Sequence, residues 1–192
     1  MNDDGRERER PTSEQLEKEI GRIWLKQETL KVIWAAIRTL LVFAAAAVLI
    51  TTLLLPVIRV QKGSMSPTLE EGQILIFSKI GKIGRGDIIA FQHNNQVLIK
   101  RVIATTGDRI ELAADGTVIL NGAPLNEPYI WEHAIGECTI QMPLQVPDGQ
   151  YFVMGDHRAT SLDSRRAEIG LIEQSQITGK ALLRVWPFGR PG

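Results

Sequence analysis

The amino-acid sequence predicts a mainly β fold, in which a domain of antiparallel sheets follows a single N-terminal transmembrane helix. Residues 39–58 carry no charged side chain. A helix of ~20 residues, at ~1.5 Å each, spans the ~30 Å core of a bilayer. After this run come short apolar segments separated by glycine and asparagine turns, and none has the length and pattern of an amphipathic helix. This combination is typical of twisted antiparallel sheets joined by irregular loops.

The uncharged run is predicted to be a retained anchor. A removable signal peptide has a shorter apolar region, begins near the first residue and ends at small residues. Here the run begins at Thr39 and ends in Leu-Leu-Leu-Pro-Val-Ile. The alternative is a buried core helix, but the length of the run without a charge favours a membrane span.

The arm before the anchor, residues 1–38, is predicted to be disordered at first and then helical. Residues 1–12 are rich in charge and include a proline, which disfavours a packed structure. From Ser13 onward apolar residues recur close to the helical period of ~3.6 residues, at Leu16, Ile20, Ile23 and Leu30. The second half of the arm is mostly basic, with Arg22, Lys26, Lys31 and Arg38 against Glu28.

This basic flank predicts the orientation of the chain in the membrane. Positive residues beside an anchor favour the cytoplasmic side. We therefore expect residues 1–38 in the cytoplasm, residues 39–58 in the membrane and the β-rich residues 59–192 outside. Arg59 and Lys62 lie just beyond the anchor and reduce the charge asymmetry.

The domain after the anchor contains several segments with strand character. They are rich in β-branched or aromatic residues and comprise residues 74–77, 87–91, 97–104, 110–112, 117–120, 151–154 and 177–186. Ala114-Asp115-Gly116 and Asn121-Gly122 are hairpin signals. Residues 136–147 show no regular pattern.

Composition excludes several classes of function. The formal net charge of +0 at pH 7 argues against nucleic acid as the main partner. The chain has 1 cysteine, Cys138, so an internal disulfide is excluded, and no cluster of cysteines and histidines indicates a structural zinc site.

A candidate nucleophile follows directly after the anchor. Ser64 lies in a Gly-Ser-Met turn, and Pro67 stiffens the chain after it. A serine that attacks needs a base, and the 3 histidines of the chain have no recognisable triad context. A Ser–Lys pair is the remaining economical arrangement. The turn alone is equally typical of an ordinary surface turn.

The candidate base is Lys100, in the apolar strand Leu98-Ile99-Lys100-Arg101-Val102-Ile103. Residues alternate between the two faces of a strand, so Lys100 and Arg101 point to opposite and largely apolar faces. Burial would lower the pKa of the lysine and give a neutral amine that can accept the proton of Ser64. The alternative is an edge strand on which both charged side chains reach water.

A third polar stretch follows the strand predicted at residues 151–154. Gly155-Asp156 leads into a loop that contains Ser161, Asp163 and Arg165. Asp163 and Arg165 are close enough in sequence to pair, and Ser161 can hydrogen-bond to a lysine. Taken alone, the stretch is typical of a solvated loop.

In this order and spacing the three stretches resemble the bacterial type I signal peptidases. GSMSPTL resembles the nucleophile box of that family, LIKRVIATTGDRIEL its general-base box and GDHRATSLDSR its last box. The segments ILIFSKI, DGTVILNGAPLNEPY and GKALLRVWPFG are also similar, so the resemblance covers roughly residues 40–190. Lys100 stands where the eukaryotic endoplasmic-reticulum enzymes have histidine, which indicates the bacterial or organellar branch.

The resemblance implies a role for each matching residue. Ser64 resembles the nucleophile and Lys100 the general base. Ser161 resembles the hydroxyl that orients the lysine, and Asp163 and Arg165 resemble the supporting ion pair. Further matches are Gly155 and Asp156 at the structural start of the last box, and Val60 and Met65 beside the substrate.

The resemblance also implies a fold and an activity. The family has a mostly β catalytic core that rests on the outer membrane surface. Its members are serine endopeptidases that remove signal peptides from exported preproteins through an acyl-enzyme, and they demand small residues at the first and third positions before the cut. No metal or cofactor is implied. The expected partners are preproteins, membrane lipid and, transiently, the secretion translocon, and the expected location is the cell membrane, single-pass with a cytoplasmic N-terminus.

The sequence departs from the family pattern at several positions. Lys62 stands two residues before Ser64, where many relatives have a serine or glycine that helps to complete the oxyanion hole. The Lys62 ammonium can donate to the oxyanion or bind lipid phosphates, and its place just after the anchor favours the phosphates. His157, Ala159 and Thr160 stand where many relatives have asparagine or aspartate.

Two other functions fit parts of the sequence. A self-cleaving, repressor-type Ser–Lys protease shares the Ser-Met and Lys-Arg features, but it would carry a DNA-binding helix-turn-helix and no anchor. A non-catalytic, membrane-tethered β module that binds extended peptides would not need Ser64, Lys100 and Ser161 together. The sequence therefore favours the endopeptidase.

Overall fold

The computed structural model describes residues 12–191. The chain divides into two compact units, Met1–Ile50 and Thr51–Gly192. The segment predicted to be disordered, residues 1–12, lies outside the described residues except for its last position.

A single long helix occupies the N-terminal part of the described chain. Helix α1, Ser13–Leu54, is 42 residues long and includes the predicted helical arm and most of the predicted anchor. At ~1.5 Å per residue it measures ~63 Å, about twice the thickness of a bilayer core. It is the 1 helix among residues 12–191 that is long and apolar enough to cross a membrane. Pro56 follows its end, and Val57–Arg59 form strand β1, so the last residues of the predicted anchor are extended.

The chain after β1 forms ten further strands connected by turns and loops. In chain order they are β2 (Ile74–Ser78), β3 (Ile88–His93), β4 (Gln96–Ala104), β5 (Arg109–Leu112), β6 (Val118–Leu120), β7 (Ala123–Pro124), β8 (Leu144–Gln145), β9 (Gln150–Met154), β10 (Ile172–Glu173) and β11 (Ile177–Trp186).

These strands build two antiparallel sheets. The 7-stranded sheet has the order β1-β2-β11-β3-β4-β9-β10, and the 4-stranded sheet has the order β7-β6-β5-β8. Within residues 12–191 only short 3-10 turns supplement the strands after α1. The predicted class, mainly β with antiparallel sheets that follow one apolar helix in the chain, is confirmed.

Each segment predicted as a strand forms one, with ends that differ by at most two residues. The strands that the sequence did not indicate are β1, β7, β8 and β10, which are 2 or 3 residues long. Such short segments cannot carry an alternating pattern, and their pairing partners define them. The Asn121-Gly122 hairpin signal is correct, because both residues have positive φ, 53° and 84°, as a tight two-residue turn requires.

Strand β4, which carries the candidate base, is interior and buried on both faces. It lies between β3 and β9. Ile99 belongs to one hydrophobic cluster, and Val102, which points the other way, belongs to another. Lys100 is 2% exposed and Arg101 is 4% exposed. The alternative of an exposed edge strand is therefore wrong.

Candidate active site

Ser64 lies in a 3-10 turn formed by Gly63–Met65. Met65 is buried in the core and its carbonyl oxygen accepts a hydrogen bond from the Leu69 N–H at 2.8 Å. The His157 N–H, from the loop after β9, donates to the Ser64 carbonyl oxygen at 3.1 Å. The turn is thus fixed by the core on one side and by that loop on the other, while the Ser64 side chain stays half-buried.

Lys100 reaches this turn from strand β4. Its Nζ donates a hydrogen bond to Ser64 Oγ over 2.6 Å. Burial lowers the pKa of Lys100 from 10.5 to about 8, because the ammonium loses its hydration. The carboxylates of Asp163 and Asp156 oppose this shift, and the Arg165 guanidinium adds to it. The arrangement provides a partly neutral amine within hydrogen-bond reach of a hydroxyl, which is the geometry of a general base.

Ser161 is packed next to the same turn. It is 6% exposed, and its Oγ has no hydrogen-bond partner within residues 12–191. A Cβ atom on Gly155 would lie 2.1 Å from Ser161 Oγ and 2.4 Å from the Ser64 carbonyl oxygen. Only glycine at position 155 therefore lets the loop and the turn approach this closely. The hydrogen bond between Ser161 and the lysine that the sequence suggested is therefore not formed in this structure, and the hydroxyl can bind a water or a substrate atom.

Asp163 and Arg165 form a fully buried, two-point ion pair. Arg165 Nε donates to Asp163 Oδ1 and Arg165 Nη2 donates to Asp163 Oδ2, both over 2.9 Å. Asp163 Oδ2 also accepts the Gly155 N–H at 3.0 Å. Arg165 is held in turn by the carbonyl oxygens of Ile135 and Arg158, each at 2.8 Å. The pair thereby fixes both ends of the loop that carries Ser161.

The Ser64 and Lys100 side chains lie in a groove of about 890 Å³. Residues 57–65 line one part of the groove and residues 95–100 another. Val60 and Met65 also contribute to its wall, although both pack into the core. Among residues 12–191, no group of 3 or more His, Cys, Asp or Glu side chains has the arrangement of a metal site.

The structure brings the predicted site residues together from three separate stretches. Val60, Ser64, Met65 and Lys100 line the groove, and Ser161, Asp163 and Arg165 lie in the loop after β9 that packs on the Ser64 turn. The chemical role of each residue stays a prediction.

Comparison with known proteins gives the family. Residues 33–186 match the family described as "Signal peptidase, peptidase S26". The chain belongs to that family.

Its similarity to individual signal peptidases extends over most of the chain. Signal peptidase I of Bacillus amyloliquefaciens is 33% identical over 195 residues, which cover 95% of each chain. Signal peptidase I of Bacillus licheniformis is 34% identical over 165 residues, 79% of this chain and 88% of the relative. A crystal structure of a signal peptidase I from Enterococcus faecalis is 33% identical and covers 53% of this chain and 97% of that chain, with a TM-score of 0.43. The predicted membership of the bacterial type I signal peptidases is confirmed.

The sequence did not reveal two further buried ion pairs of this chain. Arg101 Nε donates to Asp156 Oδ1 at 2.9 Å, and Arg101 Nη2 donates to Asp156 Oδ2 at 2.7 Å. Arg158 binds both carboxylate oxygens of Glu127, with Nη1 2.9 Å from Oε2. Partners this far apart in sequence cannot be read from spacing; the available signal is that each residue lies in a segment similar to the family.

Three residues that depart from the family pattern also line the groove: Lys62, His157 and Thr160. Lys62 is exposed, and its positive charge helps to lower the pKa of Lys100. His157 is half-buried and its Nδ1 is hydrogen-bonded to Thr160 Oγ1. All three side chains therefore belong to the surroundings of Ser64.

Proposed function

We propose that this protein is a membrane-anchored serine endopeptidase that removes signal peptides from exported preproteins, with Ser64 as nucleophile and Lys100 as general base. The observation that carries this proposal is the 2.6 Å contact between Ser64 Oγ and the Nζ of a lysine that is 2% exposed. The names of the curated relatives, Signal peptidase I, supply the substrate class.

In the first half of the reaction, neutral Lys100 Nζ accepts the Ser64 hydroxyl proton as Oγ attacks the carbonyl carbon of the scissile peptide bond. The tetrahedral intermediate collapses, the C–N bond breaks, and the Lys100 ammonium gives its proton to the leaving amine. The signal peptide is then an ester of Ser64, and Lys100 is neutral again.

In the second half, Lys100 accepts a proton from a water molecule that attacks the ester carbon. Collapse of the second tetrahedral intermediate breaks the bond to Ser64 Oγ and returns the proton to the serine. The products are the signal peptide with a free carboxylate and the mature protein with a free amine. Water is the only co-substrate that these proposed steps consume.

The loop after β9 supports these steps in this proposal. Ser161, whose buried Oγ has no hydrogen-bond partner among the described residues, is the hydroxyl that would turn to Lys100 during the reaction, and the Asp163–Arg165 pair holds the loop in place. The substrate lies as an extended chain in the groove, where Val60 and Met65 limit the size of the side chains beside the cut. This limit favours small residues at the first and third positions before the scissile bond.

The proposed arrangement in the cell follows from the helix and its flanks. An apolar helix of the length of α1 is consistent with membrane anchoring. We propose that residues 39–58 form the anchor, with residues 1–38 in the cytoplasm and residues 59–192 as the extracytoplasmic catalytic domain. The site then faces membrane lipid and preproteins that leave the secretion translocon.

The experiment is a cleavage assay with the full chain in detergent. A preprotein with an Ala-X-Ala sequence before its cleavage site should be cut by the wild type. Ser64→Ala should lower kcat by at least ~10³-fold, because the nucleophile is lost. The matched control is Ser66→Ala, which removes a hydroxyl from the same segment and should keep near-normal turnover. Cleavage that survives in Ser64→Ala would show that Ser64 is not the nucleophile.

A further inference from the structure

Tyr129 packs against Arg101, the residue that follows the candidate base Lys100 in strand β4. The Tyr129 ring is stacked on the Arg101 guanidinium, whose Cζ is 4.0 Å from the ring centroid. The Tyr129 hydroxyl donates a hydrogen bond to Glu127 Oε1 at 2.7 Å. A cation over an aromatic face is attracted to the ring, most strongly where water is excluded, and here the Arg101 side chain is 5% exposed. Tyr129 therefore restricts where Arg101 can go.

Arg101 in turn restricts Asp156. Two of its nitrogens bind the Asp156 carboxylate, and its Nη1 donates to the Gly86 carbonyl oxygen at 2.9 Å. Thr68 Oγ1, a few residues after the Ser64 turn, accepts from Arg101 Nη2 at 3.2 Å and donates to Asp156. The Asp156 side chain is fully buried, so its charge has little screening other than this arginine.

The contacts close into a circuit around the start of the loop after β9. Glu127, which accepts the Tyr129 hydroxyl, is ion-paired with Arg158. Arg158 Nε donates to the Gly155 carbonyl oxygen at 3.1 Å, directly before Asp156 in the chain. Tyr129 is thus the one residue of the circuit that touches both ion pairs, through its ring and through its hydroxyl.

The charge of Asp156 matters because it acts on Lys100. The charged groups around Lys100 are Asp163, Asp156, Arg165 and Lys62, and His157 lines the same groove. The Asp156 carboxylate stabilises the ammonium form and raises the pKa of Lys100, against the effect of burial.

We propose that Tyr129 is a positioning residue for the Ser64–Lys100 pair: its ring keeps the Arg101 guanidinium on Asp156, so that the Asp156 charge is partly neutralised and favours the Lys100 ammonium less than an unpaired carboxylate would. The inference rests on the proposed function, because it describes how the same lysine is kept able to accept a proton. It gives a function to residues 127–129, none of which lines the groove.

The test is the pH dependence of kcat for Tyr129 variants of the full chain in detergent. Tyr129→Leu removes the ring, so the Arg101 guanidinium is held less firmly on Asp156. The Asp156 carboxylate is then less neutralised and stabilises the Lys100 ammonium more strongly. The rising limb of the profile should move to higher pH by ~0.5–1 unit, a partial version of the shift that a neighbouring opposite charge causes. The plateau at high pH should stay close to that of the wild type. Tyr129→Phe, which keeps the ring, should shift less.

The controls separate positioning from folding. Tyr151 is the other tyrosine of the chain; its hydroxyl donates to Gln174 Oε1, and Tyr151→Leu should leave the limb in place. Thermal unfolding of each variant shows whether it is folded, and Tyr129→Met, also without a ring, replaces Tyr129→Leu if that variant does not fold. A rate that falls equally at every pH, or an unchanged profile, overturns the proposal.

A second readout does not depend on turnover. The titration of Lys100 can be followed by NMR of its labelled Cε in the folded chain, and Tyr129→Leu should titrate at higher pH than the wild type. If the wild type cleaves no preprotein, the proposed function fails while this titration still decides the role of Tyr129. If the wild type cleaves and neither the profile nor the titration moves, the positioning proposal alone fails.

Discussion

Lys100 is a cation placed where a cation is disfavoured. Burial lowers its pKa to about 8, so the neutral fraction rises steeply between pH 7 and 9. In the proposed mechanism, only the neutral amine can accept the Ser64 proton. The direction of the pH dependence follows from this: kcat for preprotein cleavage should rise with pH through about 8 and level off above it. The measurement is kcat from pH 6 to 10 with saturating preprotein, and a flat profile would exclude Lys100 as the base.

Two variants of Lys100 make this expectation specific. Lys100→Arg should be inactive at every pH, because a guanidinium does not deprotonate in this range. Lys100→Met should also be inactive, yet unfold at a higher temperature than the wild type at pH 7. The folded pKa lies below the unfolded value of 10.5, so the buried ammonium destabilises the fold below about pH 8 and this effect is lost as pH rises to 10.5. The effect is ~3 kcal/mol at neutral pH, and methionine removes it.

At the scale of elements, the close packing of the loop after β9 against the Ser64 turn requires glycine at position 155. A methyl group at Gly155 would meet Ser161 Oγ at 2.1 Å and the Ser64 carbonyl oxygen at 2.4 Å, so the loop and the Ser64 turn would have to separate. Displacement of reacting groups by ~1 Å can cost ~10²-fold in rate. We expect Gly155→Ala to lower kcat by ~10²-fold while the protein stays folded, as measured by cleavage and thermal unfolding.

Gly84→Ala is the matched control for this variant. A Cβ there lies 3.8 Å from the nearest side-chain atom, an ordinary contact, and Gly84 does not have positive φ. Its turnover and unfolding temperature should stay near those of the wild type. Normal turnover in Gly155→Ala would mean that the loop and the turn can separate without disturbing the Ser64–Lys100 contact.

The same elements show what the sequence can and cannot specify. Strands such as Ile88–His93 and Gln96–Ala104 are predictable, because a short run of apolar residues between two turns is typical of a buried strand. The strand pair of Leu144–Gln145 with β5 is not, since two residues are a strand only when a partner is beside them. Ser64 and Lys100 could be named from local context together with a family resemblance.

The partners of buried charges are set by the fold and not by local sequence. From its neighbours in sequence, Arg101 would be taken for a second exposed cation beside Lys100. In the structure it is buried and ion-paired with Asp156, 55 positions later in the chain. Glu127 reads as a polar residue in a loop, yet it neutralises Arg158 in the interior. Such pairs depend on which segments the sheets bring together, and no periodicity or spacing encodes that.

On the scale of the whole molecule, the proposed anchor would decide on which side of the membrane the groove lies. Helix α1 is ~63 Å long, so about half of it must extend beyond a bilayer core of ~30 Å. The uncharged residues of α1, from position 39 onward, lie in its C-terminal part, so in the proposed arrangement the extra length lies on the N-terminal side. The basic flank, residues 22–38, would then occupy the part of the helix that leaves the membrane there, and such flanks favour the cytoplasmic side.

This orientation predicts the result of a protease-protection experiment on spheroplasts that express the full chain with an epitope at each terminus. Added protease should remove the C-terminal epitope and leave the N-terminal epitope on a fragment that ends near Leu54–Arg59, because the bilayer protects α1. Detergent-opened spheroplasts are the control in which both epitopes are lost. Replacing Arg22, Lys26, Lys31 and Arg38 by glutamate removes the positive flank and should lower the fraction of chains with an accessible C-terminus. A C-terminal epitope that survives in intact spheroplasts of the wild type would place residues 59–192 in the cytoplasm, where the groove could not meet preproteins that have crossed the membrane.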